Sequence, residues 1–576
     1  MHIAENETML PGWTRLLSVV VLMSTGGGLV QVAAAKAKPG QQPARAAAAH
    51  RYDLVIRNGQ VMDGSGNSWF YDDVGVRNGK IVTIGRIAPG AGTKEIDATG
   101  LVVAPGFIDV HTHADEDLHK HPRAENFIRD GVTTIVTGNC GSSVTDVRGY
   151  FHQLEKKGVA VNVATLIGHN SILRAVKGDR ADKLTTAQMD KAKQMVRQAM
   201  LDGAVGMSTG LIYTPGTYSE TEEIIELQKV AAEYGGIYAT HMRDEAREIL
   251  AAIDEALRVG RESGSRVQIS HFKMPTDVAR SMGGSKVTLA RVMEARAAGQ
   301  EVWLDQYPYT ASSTGIASLL PSWVREEGND RARQVLQDPA SLERVLADMR
   351  QSHEIERQRR DMSYAVISSC SAYPEYVGKN IKQIAQMMKR QREQAADASA
   401  GGGDELPEVT SREQYLAIID IFLKGGASCV FHSFSEEQVE NIMRHPLTAV
   451  CSDSGVRVFG EGQPHPRGYG SNSRVLGRYV RERGVITLEE AIRKMTSMPA
   501  LAFRFKDRGL LREGFWADIT IFDPQTVADQ ATFEQPHQYA KGIIHVIVNG
   551  QPVVENEEVT GALPGMPLYG PGRVDK

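Results

Sequence analysis

Pro105-Gly-Phe-Ile-Asp-Val-His111-Thr-His113 is the stretch on which the fold turns. Residues 101–108 form a short apolar run, broken by Pro105 and Gly106, that leads into two histidines one residue apart. Read as a buried strand over 107–113, it carries His111 and His113 on one face, because strand side chains alternate with a period of two. Two imidazoles on one face at the end of an inner strand can share a metal ion, with ring nitrogens about 2.0–2.1 Å from zinc. Alone, the pair fits two ordinary polar strand caps equally well. The decision lies with what the rest of the chain supplies.

Downstream, strands alternate with amphipathic helices, the mark of a parallel sheet with crossover helices. Apolar runs bounded by turn residues predict strands over 133–138, 161–167, 203–208, 236–240, 266–270, 301–306 and 447–451. With the opening strand these make eight, which closes a (β/α)8 TIM-like barrel of about 250 residues. Helices are expected over 186–201 and 219–234, each starting at a Ser/Thr position with acidic or amide residues soon after. An oversized insertion, about 318–424, separates the seventh and eighth strands, and its Gly-rich segment ending at Gly403 reads as flexible. At the carboxyl end of a barrel strand such an insertion is placed to act as a lid or substrate wall.

Short β-strands flank this core. Asn58-Gly59 and Asn78-Gly79 between alternating apolar residues are hairpin signals. The same texture returns at Gly514-Phe-Trp-Ala-Asp-Ile-Thr-Ile-Phe-Asp523 and His545-Val-Ile-Val-Asn-Gly550. The expected domains are therefore a β-domain half over 51–104, a barrel over 105–504, and the second β-domain half with a Gly/Pro-rich tail over 505–576. The two halves are expected to build one small β-sandwich.

Residues 16–30 are apolar, preceded by Arg15 and followed by Ala33-Ala34-Ala35. That is the layout of a cleaved secretory signal over 1–35, ahead of a disordered linker over 36–50, and it predicts a periplasmic or secreted protein. Glu5 and Glu7 make the extreme start acidic where a positive region is expected, a conflict that initiation at Met9 would remove. The apolar run is short for a membrane-spanning helix, and no later stretch is longer. A net charge of −5 gives no basic surface for nucleic acid or anionic membrane. The basic patches Arg357–Arg360 and Lys389–Arg392 read as solvated helix faces. Cys140, Cys370, Cys429 and Cys451 lack the spacing of a disulfide framework, and at most one bridge among the last three is open. The sequence does not specify an oligomeric state.

Active sites of these barrels collect at the carboxyl ends of the strands. The second strand ends in Gly138-Asn-Cys140-Gly141, the fifth in Ala-Thr-His241-Met-Arg, the sixth in Ile-Ser-His271-Phe-Lys273 and the eighth in Cys-Ser-Asp453-Ser-Gly. A lone buried histidine is usually a satisfied core residue, and Cys140 alone would be a small buried hydrophobe. Ligand-type residues at five strand ends in similar register are a different matter: together they describe a metal site.

This arrangement, with its split β-module, resembles the amidohydrolase superfamily. Gly-Asn-Cys140-Gly, Ala-Thr-His241-Met-Arg, Ser-His271-Phe-Lys273, Tyr307-Pro-Tyr-Thr-Ala-Ser-Ser313 and His465-Pro-Arg467 resemble its D-aminoacylase, or N-acyl-D-amino-acid deacylase, branch. The similarity runs from about 52 to 570. Related cyclic-amide hydrolases bridge two metals with a carboxylated lysine on strand four. Here that strand reads Gly203-Ala-Val-Gly-Met-Ser-Thr-Gly210 without lysine, and Cys140 is available to bridge. The resemblance implies a tight Zn2+ on Cys140, His241 and His271, and a second, weaker metal position on His111 and His113 sharing Cys140. A Cys-His-His set with a free position is in any case the chemistry of a catalytic zinc, since structural sites are closed.

The expected reaction is hydrolysis of the amide of an N-acyl-D-amino acid by a metal-activated water, with Asp453 as base and then acid. Lys273, Arg467, Tyr213, Tyr307 and Ser313 are the implied holders of the substrate carboxylate, and Arg467 offers the best fork for it. His432 is a further, weaker candidate for facing the site, while Tyr309 and Trp323 could line a side-chain pocket. The D-preference comes from the resemblance alone. The competing readings are a cyclic-amide or D-residue dipeptide hydrolase, and a non-catalytic binding barrel. A nucleobase deaminase of the Pro-Cys-x-x-Cys type lacks its signature here, and no phosphate-binding glycine loop is present.

Overall fold

A computed structural model describes residues 51–359, 361–396 and 406–574. The signal and linker expectations for 1–50 lie outside the described residues, as does the Gly-rich segment from 397 to 405.

The chain opens with β1 (Tyr52–Val61), β2 (Phe70–Arg77), β3 (Lys80–Gly85), β4 (Gly92–Asp97) and β5 (Val102–Pro105). It then lays down the inner strands β6 (Phe107–Asp109), β7 (Val132–Thr137), β8 (Asn162–Thr165), β9 (Ile167–Gly168), β10 (Gly206–Gly210), β11 (Ile237–His241), β12 (Val267–Ile269) and β13 (Val302–Gln306). These strands are buried along their whole length, as parallel strands covered on both faces must be. β8 and β9 are two halves of one strand, interrupted at Leu166, whose N–H bonds the Thr137 carbonyl of β7 at 2.9 Å. Then come the insertion strands β14 (Ala311–Gly315), β15 (Ala365–Ser369) and β16 (Ser428–His432), the last inner strand β17 (Thr448–Val450), and β18 (Ile519–Phe522) to β21 (Glu558–Val559).

Past the strand ends, Asp453 N–H donates to the His111 carbonyl and His113 N–H to that of Ser454, both at 2.9 Å. These bonds join the eighth strand to the first. The opening strand is shorter than expected, ending at Asp109. Its extended course continues to His113, where Thr112 bridges Ser454 in parallel sense.

Helix Thr186–Leu201 carries a reciprocal cap between Thr185 and Gln188. The next helix is Thr221–Glu233, starting two residues later than expected. Ser219 does not cap it and its hydroxyl is buried without a partner, because Glu220 occupies the cap position.

The insertion is wider than 318–424 and contains strands as well as helices. β14, β16 and β15 form their own antiparallel sheet. That sheet packs on a separate core that includes Val345, Ile367, Ile384, Ile418 and Cys429. Trp323 belongs to this layer: its indole donates to Asp348 at 2.8 Å, so it does not line the substrate pocket. Against the barrel the insertion also makes the pairs Arg247–Glu356 (3.6 Å) and Arg359–Asp277 (3.3 Å). Pairs of this partly solvated kind contribute at most about 1 kcal/mol each.

β18 pairs with β5, so both chain ends share one nine-stranded sheet. The tail crosses the entry side of the barrel strands, where Gly565 N–H bonds Val159 O (2.7 Å) and Gly570 N–H bonds Gly203 O (2.8 Å). A Cβ on Gly570 would stand 2.1 Å from the Ala204 carbonyl, so only glycine permits this approach. All four cysteines are buried free thiols, so no bridge forms among Cys370, Cys429 and Cys451. Among the described residues no helix is long and apolar enough to cross a membrane.

Candidate metal centre and substrate cavity

The strand ends bring six polar side chains to one point. Cys140 follows β7 through Gly138 and Asn139. Gly138 has φ +77°, and a Cβ there would meet the Leu166 carbonyl at 2.2 Å, so the tight turn that presents the thiol requires glycine. Cys140 Sγ lies 3.3 Å from His111 Nε2, 3.6 Å from His241 Nδ1 and 3.5 Å from His271 Nε2. Ligand atoms of Cys140, His241 and His271, and separately of His111, His113 and Cys140, lie within 4.8 Å of one another. Two donor sets thus share one sulfur. Both consist of soft or borderline ligands suited to zinc-type ions.

Cys140, His271 and Asp453 have φ of 51°, 36° and 49°, a region that non-glycine residues rarely adopt. Strain of about 1–3 kcal/mol at each such residue is tolerated where the surroundings over-determine it, typically at functional sites.

The electrostatics follow from burial against neighbours. Burial would raise the Cys140 thiol, but His111 and His271 outweigh it and hold the thiol well below its ordinary value, toward thiolate. Asp453 is likewise held well below the carboxylate range: burial opposes ionisation, and Arg467 and His111 overcome it. Asp453 Oδ1 is 3.1 Å from His113 Nε2, and Oδ2 is 2.8 Å from Arg467 Nη1. The Arg467 contact is an ion pair without hydrogen-bond alignment, since its Nη1 and Nε have no aligned acceptor.

One cavity of about 1240 Å3 opens over this point. Its walls include His113, Cys140, His241, His271, Asp453, Arg467, Lys273, Tyr213, Tyr307 and Ser313, while His111 lies fully buried behind them. Tyr213 packs on His241 with ring centroids 4.8 Å apart, and its hydroxyl meets Thr314 at 3.1 Å. Arg467 lies over the Tyr307 ring at 4.6 Å. The Tyr307 hydroxyl is buried without a partner. Lys273 is not free: its ammonium is 2.6 Å from Glu245 Oε1 and 2.8 Å from His271 Nδ1. Tyr309 stands outside the cavity under Arg474, and His432 packs on Phe533, so neither lines it. Arg357 and Arg359, read from sequence as a solvated helix face, instead follow the π-turn Gln351–Glu356 and line the cavity.

Two carboxylates, the buried Asp305 and the half-buried Glu245, escaped the sequence reading. Asp305 on β13 lies 3.2 Å from His111 Nδ1 and accepts the His271 backbone N–H at 2.6 Å. Glu245 lies 3.0 Å from His271 Nδ1 and 3.5 Å from His241 Nε2. Asp305 and Glu245 stand against the ring nitrogens of His111 and His271 that face away from Cys140, as orienting carboxylates behind metal-binding histidines do, whereas His241 Nε2 makes no hydrogen bond. An acidic residue four positions after His241 was the available signal, but an irregular loop gives no periodicity to rank it.

The profile of the amidohydrolase family matches residues 94–554. A D-aminoacylase of Alcaligenes xylosoxydans xylosoxydans is 34% identical over 540 residues, covering 90% of this chain and 97% of that protein. The chain belongs to the D-aminoacylase branch of the amidohydrolase family. A solved N-acyl-D-glutamate deacylase of Bordetella bronchiseptica, complexed with zinc and a phosphonate mimic of the tetrahedral intermediate, superposes with TM-score 0.74 at 32% identity, over 90% of this chain and 100% of that one. A D-aminoacylase structure described by one-metal activation and second-metal attenuation of a binuclear centre gives TM-score 0.73 at 34% identity, with 90% and 100% coverage. For an amidohydrolase, the absence of lysine from β10 is notable. Its Ser208 hydroxyl instead bonds the Gly138 carbonyl at 2.5 Å and accepts Gly141 N–H at 3.0 Å, bracing the cysteine turn.

Glu245→Gln is expected to weaken metal binding by about 10–100-fold, the usual cost of losing an orienting carboxylate. Competition titration with a chromophoric chelator measures it. Wild-type affinity in the variant would remove Glu245 from the metal site.

Proposed function

We propose that this chain is a zinc-dependent hydrolase that cleaves the amide bond of N-acyl-D-amino acids, releasing a carboxylate and the free D-amino acid. The observation that carries the reading is the convergence of two donor sets sharing Cys140 Sγ, with Asp453 beside them, on the floor of one cavity. Relatives named D-aminoacylase and N-acyl-D-glutamate deacylase support the substrate class and its handedness.

Cys140, His241 and His271 would hold the tight ion, and His111 and His113 a weaker one sharing the thiolate. The description of a related enzyme by one-metal activation and second-metal attenuation supports this unequal division. A zinc ion held by these residues would supply a Lewis acid for the acyl carbonyl and make water a competent nucleophile near neutral pH.

The protein's own groups do the rest. Asp453, ionised and 3.1 Å from His113, accepts the proton of the attacking water and returns it to the departing nitrogen. The water oxygen bonds to the acyl carbon, the C–N bond breaks, and the amine leaves carrying that proton. Arg467 presents a planar fork to the substrate carboxylate, with the unpartnered Tyr307 hydroxyl as a second donor. Burial raises the Tyr307 phenol well above its usual range, so it stays a neutral donor. Tyr213 and Ser313 close the same wall. Lys273 acts through Glu245 as well as toward substrate, given its 2.6 Å contact. The apolar leader over 16–30 with its Ala triplet supports export to the periplasm or beyond.

A panel of N-acetyl-D- and N-acetyl-L-methionine, a D-residue dipeptide, dihydroorotate and a hydantoin, run with and without chelator, tests the reading. N-acetyl-D-methionine is expected to be turned over at least about tenfold faster than the others, with loss on chelation and return on adding zinc. Preference for a cyclic amide, or activity indifferent to chelator, overturns it.

A further inference from the structure

Asn126 does not line the cavity, yet its side chain joins the two loops that carry Asp453 and Arg467. It lies on the short helix Glu125–Ile128 and is 1% exposed. Its amide nitrogen donates to the Gly468 carbonyl at 2.8 Å and to the Gly455 carbonyl at 3.3 Å, and its oxygen accepts the Arg457 N–H at 3.1 Å. Both amide hydrogens and the amide oxygen are thereby engaged. Gly455 and Arg457 follow Asp453 on the loop after β17, and Gly468 follows Arg467 in the first turn of helix Arg467–Arg474. The two loops run close together, since a Cβ on Gly468 would stand 2.7 Å from Ser454 Oγ. The far end of that helix has its own anchor: Asp130 accepts the backbone N–H groups of Asn472 and Ser473 at 2.8 and 2.9 Å. Asn126 therefore sets the end that bears Arg467, and not the helix as a whole.

Gly455 and Gly468 are buried, so their carbonyls need a donor, and a backbone deprived of one shifts to find another. Either shift alters the 2.8 Å contact between Arg467 Nη1 and Asp453 Oδ2, because each partner sits one or two residues from a bonded carbonyl. We propose that Asn126 is a positioning residue that holds Asp453, the proton-transferring group, and Arg467, the fork for the substrate carboxylate, in one register. An aspartate of the same size cannot replace it, for an ionised carboxylate offers no hydrogen to either carbonyl. Removing Asp453 would free Arg467 in place, whereas removing Asn126 moves the turn from which Arg467 projects. The assignment rests on the deacylase reading above.

Asn126→Leu nearly keeps the volume and removes all three bonds. For N-acetyl-D-methionine it is expected to lower kcat and raise KM by about tenfold each, the scale of a misplacement near 1 Å. Zinc content should stay at the wild-type level, since Cys140, His241 and His271 stand at the ends of other strands. A merely structural residue would change KM by the same factor whatever stands at position 467. Here Arg467→Ala should remove the effect on KM: adding Asn126→Leu to it should change KM by less than about twofold while still lowering kcat. Equal KM factors in the two backgrounds, wild-type kinetics in Asn126→Leu, or zinc lost in step with kcat overturns the proposal. Denaturant unfolding checks folding, and Asn126→Asp, which keeps the bond from Arg457 N–H, is read by the same criteria if Asn126→Leu does not fold. If the wild type hydrolyses no N-acyl amino acid, the deacylase reading falls by itself, and a crystal structure of Asn126→Asp decides on the register. Separation of Asp453 Oδ2 from Arg467 Nη1 beyond about 4 Å, the limit of an ion pair, supports it, and a retained 2.8 Å contact refutes it.

Discussion

Asp453→Asn is expected to lower kcat by about 10^2–10^4 while zinc content stays at the wild-type level. General acid–base catalysis contributes on that order, and an amide cannot take the proton. The donors proposed for the tight ion are Cys140, His241 and His271, so the ion should stay. The same substitution should lower KM. Arg467 Nη1 sits 2.8 Å from Asp453 Oδ2, and without that carboxylate the guanidinium is free to grip the carboxylate of the substrate. A fall in kcat together with a fall in KM is not what a general loss of structure produces. The variant should also be less stable, by about 3–5 kcal/mol at most, because a buried ion pair loses one partner. Steady-state kinetics, metal analysis and denaturant unfolding read these three quantities. A kcat near wild type would reduce Asp453 to a structural carboxylate.

Cys140→Ala should abolish activity and metal together. The thiolate is shared by both donor sets, lying 3.3–3.6 Å from three different histidines, so its removal strips a ligand from each position at once. Loss of the Lewis acid costs several kcal/mol of transition-state stabilisation, about 10^3-fold or more in rate. Backbone strain supplies an internal control. Cys140 has φ 51°, which alanine also dislikes and glycine does not. Cys140→Gly should therefore lose metal equally while unfolding at a higher denaturant concentration than Cys140→Ala, by about 1 kcal/mol. Zinc retained in either variant would exclude the thiolate as the shared ligand.

What the sequence disclosed, and what it hid, divides along physical lines. Inner strands such as Ile237–His241 are legible because a strand buried on both faces is mostly apolar and ends where polar ligands begin. Helix Thr186–Leu201 is legible from its cap, a local interaction three residues long. The insertion sheet was hidden. Ser312 and Ser313 of β14 show no apolar alternation, and their partners Phe431 and Val430 lie over a hundred residues away. Arg357-Gln358-Arg359 read as a helix face by charge, but Gln358 at φ 53° turns the chain and aims the segment at the cavity. Glu245 and Asp305 were invisible as partners of the histidines for the same reason: packing joins them, not spacing.

The seam between the chain ends bears on how the molecule is made. β5 and β18 pair across more than 400 residues, in a sheet that draws its strands from both sides of the barrel sequence. Closing so long a loop is slow compared with local contacts, and until it closes the β5 edge is an unpaired template for other chains. Refolding from denaturant should accordingly show a late phase in which this sheet forms, with yield falling steeply as protein concentration rises.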